Sequence, residues 1–245
     1  MEKNILTPEQ AWEKVSVLKK AYCDAEKKED RMHLRVGKLT GPCEAALVAY
    51  LKELADEPNS EELYLFIIHT DDDFLDCELC AIADAVTDKP YAEKIFNALI
   101  NLPSFYGFSE HTQVNLLKYP MLLEKYWQDG NDLCEKAEVA LLTVPNKESL
   151  ISKYFSCGHG LCSEAQKKML MLPEKQMKHL FVDFINTITE KNHDERLLCQ
   201  QGFFMLLRDK LLFNLYTEKM TPFYKDKKYI FPKTIAFVAE RKGWL

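Results

Sequence analysis

Three stretches of the chain carry the same order of apolar and polar positions without a gap. They are FSEHTQVNLLKYP (108–120), LCEKAEVALLTVP (133–145) and LCSEAQKKMLMLP (161–173). The first column holds Phe108, Leu133 and Leu161, the second Ser109, Cys134 and Cys162, and the fifth Thr112, Ala137 and Ala165. Apolar pairs follow at Leu116–Leu117, Leu141–Leu142 and Met169–Leu170, and an apolar residue precedes each proline: Tyr119, Val144, Leu172. This spacing follows a helical period and not the alternation of a strand. The proline pushes its predecessor out of helical geometry, so it ends this helix. It can also open the next, where its missing N–H is harmless.

The second helix of each pair carries an aromatic signature. LLEKYW (122–127) matches LISKYF (150–155), with looser relatives in MKHLFVDF (177–184) and LLFNLY (211–216). Gly130 and Gly158 suit positions just past a helix end. Fainter copies begin at Pro42 (PCEAALVAYL), Leu79 (LCAIADAV) and Leu198 (LCQQGFFMLL). Cys43, Cys80, Cys134, Cys162 and Cys199 thus share one setting, with a small residue three positions on. That setting predicts small, buried, reduced thiols, with Ser109 in the place of a sixth.

Pro120, Pro145 and Pro173 stand 25 and 28 residues apart. Self-similarity at such a period marks a repeat architecture, because a lone helix pair cannot bury its own apolar face. The chain resembles the α-solenoid class, the HEAT-, armadillo- and TPR-like helical hairpin repeats, without the TPR tryptophan and glycine pattern and with a unit shorter than a HEAT repeat. The expected fold is all-α, a right-handed stack of helical hairpins (an αα-superhelix) with units of about 25–37 residues. The resemblance implies a scaffold that binds other macromolecules; it carries over no functional residues.

One domain over 1–245 is expected, with its clearest repeats at 108–216. Residues 1–40 form an N-terminal helical cap, where Thr7-Pro8 starts a helix with the apolar stripe Ala11, Val15, Leu18 and Tyr22. Residues 217–245 form a C-terminal cap, with KTIAFVAER (233–241) as a last helix and aromatics to pack on the last repeat.

Composition narrows the function classes. The 245 residues are 47% hydrophobic and 29% charged, with only 8 Gly and 10 Pro, which favours helices over many short strands. A net charge of −6 points away from nucleic acid. The longest apolar run, Leu63–Ile68, is far too short to span a bilayer. The start MEKNILTPEQAWEKV lacks a basic-then-apolar signal. With eight cysteines, the expectation is a cytoplasmic protein with reduced thiols.

Candidate chemistry is sparse. Cys77-Glu-Leu-Cys80 and Cys157-Gly-His159-Gly-Leu-Cys162 have metal-ligand spacing, but a structural zinc site needs four ligands. No cofactor or metal is expected. His193-Asp194 is a histidine–aspartate pair, and with His159 and Asp209 it suggests a helical metal-dependent phosphohydrolase of HD type. The plainer reading makes NHDER an interhelical turn, with Asn192 or Asp194 as a cap. In HTDDDFLDCE (69–78), Thr70 or Asp71 reads as an N-cap, and no glycine supplies a calcium-loop turn.

Charge patterning supplies the last signal. Residues 53–90 hold twelve acidic residues against Lys89 alone, a net of −11, so the remainder carries +5. The expected function is a non-enzymatic scaffold binding a basic protein partner, as an adaptor or as an inhibitor of a basic toxin or nuclease. Asp71, Asp72, Asp73 and Asp76 are the acidic contacts, and Asp71–Asp73 are expected to be exposed loop charges. Lys125, Lys153 and His179 lie on the polar side of the second helices.

Overall fold

A computed structural model describes residues 5–32, 35–71, 73–189 and 198–245. Among these residues there are fourteen α-helices and no strand. No helix among them is long and apolar enough to cross a membrane. The chain divides into two compact units, Met1–Leu122 and Leu123–Leu245.

In the first unit, α1 (Pro8–Met32) packs on α2 (Thr40–Glu53) and α3 (Ser60–Thr70). α2 packs on α4 (Asp76–Val86), and α5 (Ala92–Ile100) packs on both α3 and α4. α6 (Glu110–Leu116) lies against α4. Thr7 opens α1 reciprocally: its Oγ1 accepts from Gln10 N–H at 3.3 Å, and Gln10 Oε1 accepts from Thr7 N–H at 3.0 Å. The far end of α1 holds the start of α2. The buried carboxylate of Glu29 accepts from the N–H groups of Gly37, Leu39 and Thr40 and from the Thr40 hydroxyl.

α7 (Pro120–Gln128) lies mostly in the second unit, followed by α8 (Glu135–Leu141), α9 (Lys147–Ser156), α10 (Ser163–Met169) and α11 (Glu174–Asn186). α12 (Gln200–Leu206), α13 (Lys210–Met220) and α14 (Lys233–Arg241) complete it. α10 packs between α8 and α12, and α11 packs between α9 and α13. The aromatics of the longer helices form the core: Trp127, Tyr154, Phe155, Phe184, Phe213 and Tyr216 are all at most 1% exposed. The tail closes on them. Phe231 stacks on Phe213 at 4.8 Å between ring centres, and Trp244 lies 5.4 Å from Phe213.

α6, α8, α10 and α12 are each seven residues long. Each starts one residue after the second column, so Ser109, Cys134, Cys162 and Cys199 are N-caps. Ser109 Oγ accepts from Thr112 N–H at 3.2 Å, and Cys162 Sγ accepts from Ala165 N–H at 3.4 Å. The exchange of serine for cysteine is therefore a capping relation. These thiols are free but half-buried, which corrects the expectation of full burial. The small residue three positions on is buried in every case, and a Cβ on Gly202 would meet Leu198 at 3.2 Å. Cys43 and Cys80, by contrast, sit inside α2 and α4, so the helix-start setting does not extend to them.

The position after the small residue is the polar column Asp84, Gln113, Glu138 and Gln166. Gln113 and Gln166 each donate from Nε2 to the first-column carbonyl of their own segment, Phe108 O and Leu161 O, at 2.8 Å. The column also reaches forward. Cys162 N–H donates to Glu138 Oε2 at 2.5 Å, and Cys199 N–H donates to Gln166 Oε1 at 2.7 Å. Asp84 Oδ1 accepts from the hydroxyls of Ser109 and Thr112. The caps Ser109, Cys162 and Cys199 are thus each tied to the helix one segment earlier.

The longer helices end as expected. Gly130 (φ 85°) and Gly158 (φ 99°) follow α7 and α9. Asn131 N–H donates to Tyr126 O and Gly130 N–H to Trp127 O, and His159 and Gly158 repeat the pattern on Tyr154 O and Phe155 O. This is the paired bonding of a Schellman closure, which needs a left-handed residue. The prolines lie in the turns before α9 and α11 and at the first residue of α7. In the fourth segment Lys210 stands in the proline column, and Asp209 just before it caps α13, accepting from Leu211 and Leu212 N–H.

Two outcomes are expected. Gln166→Leu strips partners from Cys199 N–H and Leu161 O and should cost about 1–3 kcal/mol. Urea unfolding should show a lower midpoint with an unchanged slope. Backbone hydrogen bonds, led by Leu39 N–H, hold the Glu29 carboxyl below its ordinary range. Its stabilisation is therefore present above the unfolded-chain value of about 4.3 and is lost as pH falls through the lower folded value. The melting-temperature gap between wild type and Glu29→Gln should be full at neutral pH and should close in acid.

Candidate functional site

The acidic segment separates into buried and exposed charges. α3 ends at Thr70, and Asp71 follows it with an extended backbone. Asp71 is only 8% exposed, because Lys19 of α1 donates to both its oxygens at 2.8 and 2.7 Å. Lys19 also contacts Asp73 O and lies 3.2 Å from Glu78 Oε2. This corrects the picture of Asp71 as a solvated loop charge. Reversing it would place a second cation against Lys19. The N-cap of α4 is Leu75 and not Thr70 or Asp71, and Glu78 reaches back to accept from Leu75 N–H at 2.7 Å. Glu78 is fully buried, and that burial pushes its carboxyl up. Burial opposes the charge on Lys19, but the Asp71 hydrogen bond and the charges of Glu78 and Asp71 outweigh it and hold the ammonium above its ordinary range.

Asp73 and Asp76 are exposed; Asp72 lies outside the described residues. A further acidic surface lies along α3 and α5. Two adjoining hollows of about 530 and 540 Å³ run between α3 and α5. Their floor includes the half-buried Leu65 and Phe66, and their rim carries Glu61, Glu62 and Glu93. Lys94 is the one lysine or arginine among the lining residues and is paired with Glu61 at 2.7 Å. Glu62 and Glu93 are exposed. The sequence signal for this groove was the doublet Glu61-Glu62 one helical turn before Leu65-Phe66, which puts acids and apolar side chains on one stripe.

The second-helix candidates are tied to one another. Lys153 pairs with Glu124, and Ser152 bonds to Asp183. Next to it, Lys178 bridges Glu174 at 3.0 Å and Asp209 at 3.2 Å, and His179 lies 3.5 Å from Asp183. Lys125 is half-buried. These side chains link α7 to α9, α9 to α11 and α11 to the cap of α13.

Of the nominated metal ligands, His159 and Asp209 serve structural ends. His159 is buried, stacked on Tyr154 at 4.8 Å, and bonded through Nδ1 to Asp132 and through Nε2 to Trp127 O. Tyr154 donates to Glu138 and accepts from Leu133 N–H, joining the ring to the polar column. Asp209 is the α13 cap described above. His193, Asp194 and Asn192 lie outside the described residues. Among the described residues no group of three His, Cys, Asp or Glu side chains is placed to hold a metal ion.

No protein family, curated protein or solved structure matches the chain.

Burial pushes the Cys77 and Cys162 thiols up to about 11. The thiolate is the nucleophile, so neither should behave as a reactive cysteine. Iodoacetamide at pH 7.5 should modify both far more slowly than a free thiol, with the rate climbing toward pH 10. Rapid labelling of Cys162 at neutral pH would show that its cap is not formed.

Proposed function

We propose that the protein is a non-enzymatic helical-repeat scaffold that docks a basic protein partner in the acidic groove between α3 and α5. The observation that carries the reading is the groove itself. Its carboxylates outnumber its cations three to one, and its floor is apolar, so it offers steering and burial together. The cap-to-helix bonds along the polar column and the lateral pairs Glu124–Lys153 and Lys178–Asp209 support stacked hairpins, which this reading takes as a right-handed solenoid. The eight free thiols support a reducing, cytoplasmic setting. An adaptor and a protective inhibitor of a basic toxin or nuclease both fit this surface.

The test uses a labelled synthetic peptide with lysines and leucines at helical spacing. Wild type should bind it with an association rate that falls steeply from low to physiological salt. The double variant Glu62→Lys/Glu93→Lys, altered at exposed positions, should melt like wild type and weaken binding by about tenfold or more. A rate flat in salt, or binding unchanged in the double variant, sinks the reading.

A further inference from the structure

The C-terminal part of the chain is charged the other way. Residues 198–245 hold nine lysines and arginines against four acidic residues, a net of +5. Between α10, α12 and the end of α14 lies a hollow of about 570 Å³, lined by Leu170, Phe204, Met205, Leu207, Arg208 and Lys242. No carboxylate is among its lining residues. Phe204 is 46% exposed, although a ring of that size normally finds cover. Lys242 is fixed in place, donating to Leu207 O at 2.7 Å with its ammonium 4.4 Å from the Trp244 ring centre. Arg208 is exposed, and its guanidinium has no ion pair among the described residues. Exposed neighbours in sequence extend the same character: Lys168 and Met171 beside Leu170, and Lys210 and Leu211 beside Arg208.

We propose that this hollow is a second docking site, which takes an acidic amphipathic segment of a partner protein. A bulky apolar side chain of the segment seats against Leu170, Phe204 and Met205. A carboxylate about one helical turn away meets Arg208, whose planar fork donates to it in two-point contact. The local charge selects an acidic ligand. The concave shape selects a side chain that can fill it, whereas a flat lipid surface would leave the hollow empty. The site belongs to the C-terminal unit and does not rest on the α3–α5 reading.

The experiment is fluorescence anisotropy on the full chain with two synthetic peptides. One sets leucine and phenylalanine at helical spacing with glutamates on the flank; the other scrambles the same composition. Wild type should bind the first and not the second. Arg208→Glu and Phe204→Ala should each weaken binding by about tenfold. Both positions are exposed, so both variants should keep the wild-type melting temperature; Arg208→Gln gives a milder second reading at the same position. Equal binding of the scrambled peptide, or full binding by either variant, overturns the proposal. So does Phe204-dependent sedimentation with phosphatidylserine vesicles in the absence of peptide binding, which would make the patch a membrane contact. Self-association abolished by Arg208→Glu would make the occupant a second copy and would equally overturn it.

Discussion

A seven-residue helix is nearly all ends. Its first four N–H groups and last four carbonyls have no partner within the helix, so little of it is self-satisfied. Helices this short are also marginal on propensity alone. α6, α8, α10 and α12 therefore depend on what meets their ends. A cap side chain from the second column serves one N–H in α6 and α10. A buried side chain from the segment before serves the cap residue's own N–H in α10 and α12. The second of these is non-local: it fixes where one short helix starts relative to its predecessor. Register between segments is thus set by hydrogen bonds that are costly to leave unmade in a low-dielectric interior, while apolar packing supplies the bulk of the burial.

The same economy governs the charges. Four of the twelve carboxylates that the linear sequence crowds into residues 53–90 are put to separate structural uses. Asp71 and Glu78 hold Lys19, Asp84 holds the α6 cap, and Glu61 holds Lys94. A net of −11 along the chain is accordingly much less than −11 on the surface. Among the described residues Glu53, Asp56, Glu62, Asp73, Asp76 and Asp88 stay exposed, and Glu62 shares its hollow with the apolar side chains of α3. Charge density in sequence overstates a recognition surface until the internal partners are subtracted. The reverse holds in the C-terminal unit, where Arg208 has no ion pair among the described residues and lines the same hollow as Phe204.

Helix content, the helix-start register of the short helices and the glycine closures were legible because each rests on local chemistry. A 3.6 period, a small capping residue and a left-handed glycine act within a few residues of chain. Lys19–Asp71 was not legible, because the pair spans 52 positions and Asp71 sits in a run of three aspartates that looks solvated. The polar column was visible as residue types, since Asp84, Gln113, Glu138 and Gln166 interrupt an otherwise apolar face at one fixed position. A lone glutamate on a buried stripe reads as noise; four aligned amides and acids do not, because an unpartnered buried acid would be destabilising at every copy. His159 misled for the opposite reason. Its spacing from Cys157 and Cys162 resembles ligation, yet the glycine closure at Gly158 turns it inward onto Tyr154.

The column also accounts for where the pattern stops. Its equivalents at the two ends are Leu47 in α2 and Phe203 in α12, both apolar. Neither has a side-chain acceptor to offer the N–H of a following cap, so neither can place another short helix in the same way. Phe203 instead packs edge-on against Tyr216 at 6.0 Å and Phe231 at 6.1 Å. The segment after α13 is accordingly held by rings and not by a cap bond, and α14 closes the core as a lid of a different kind.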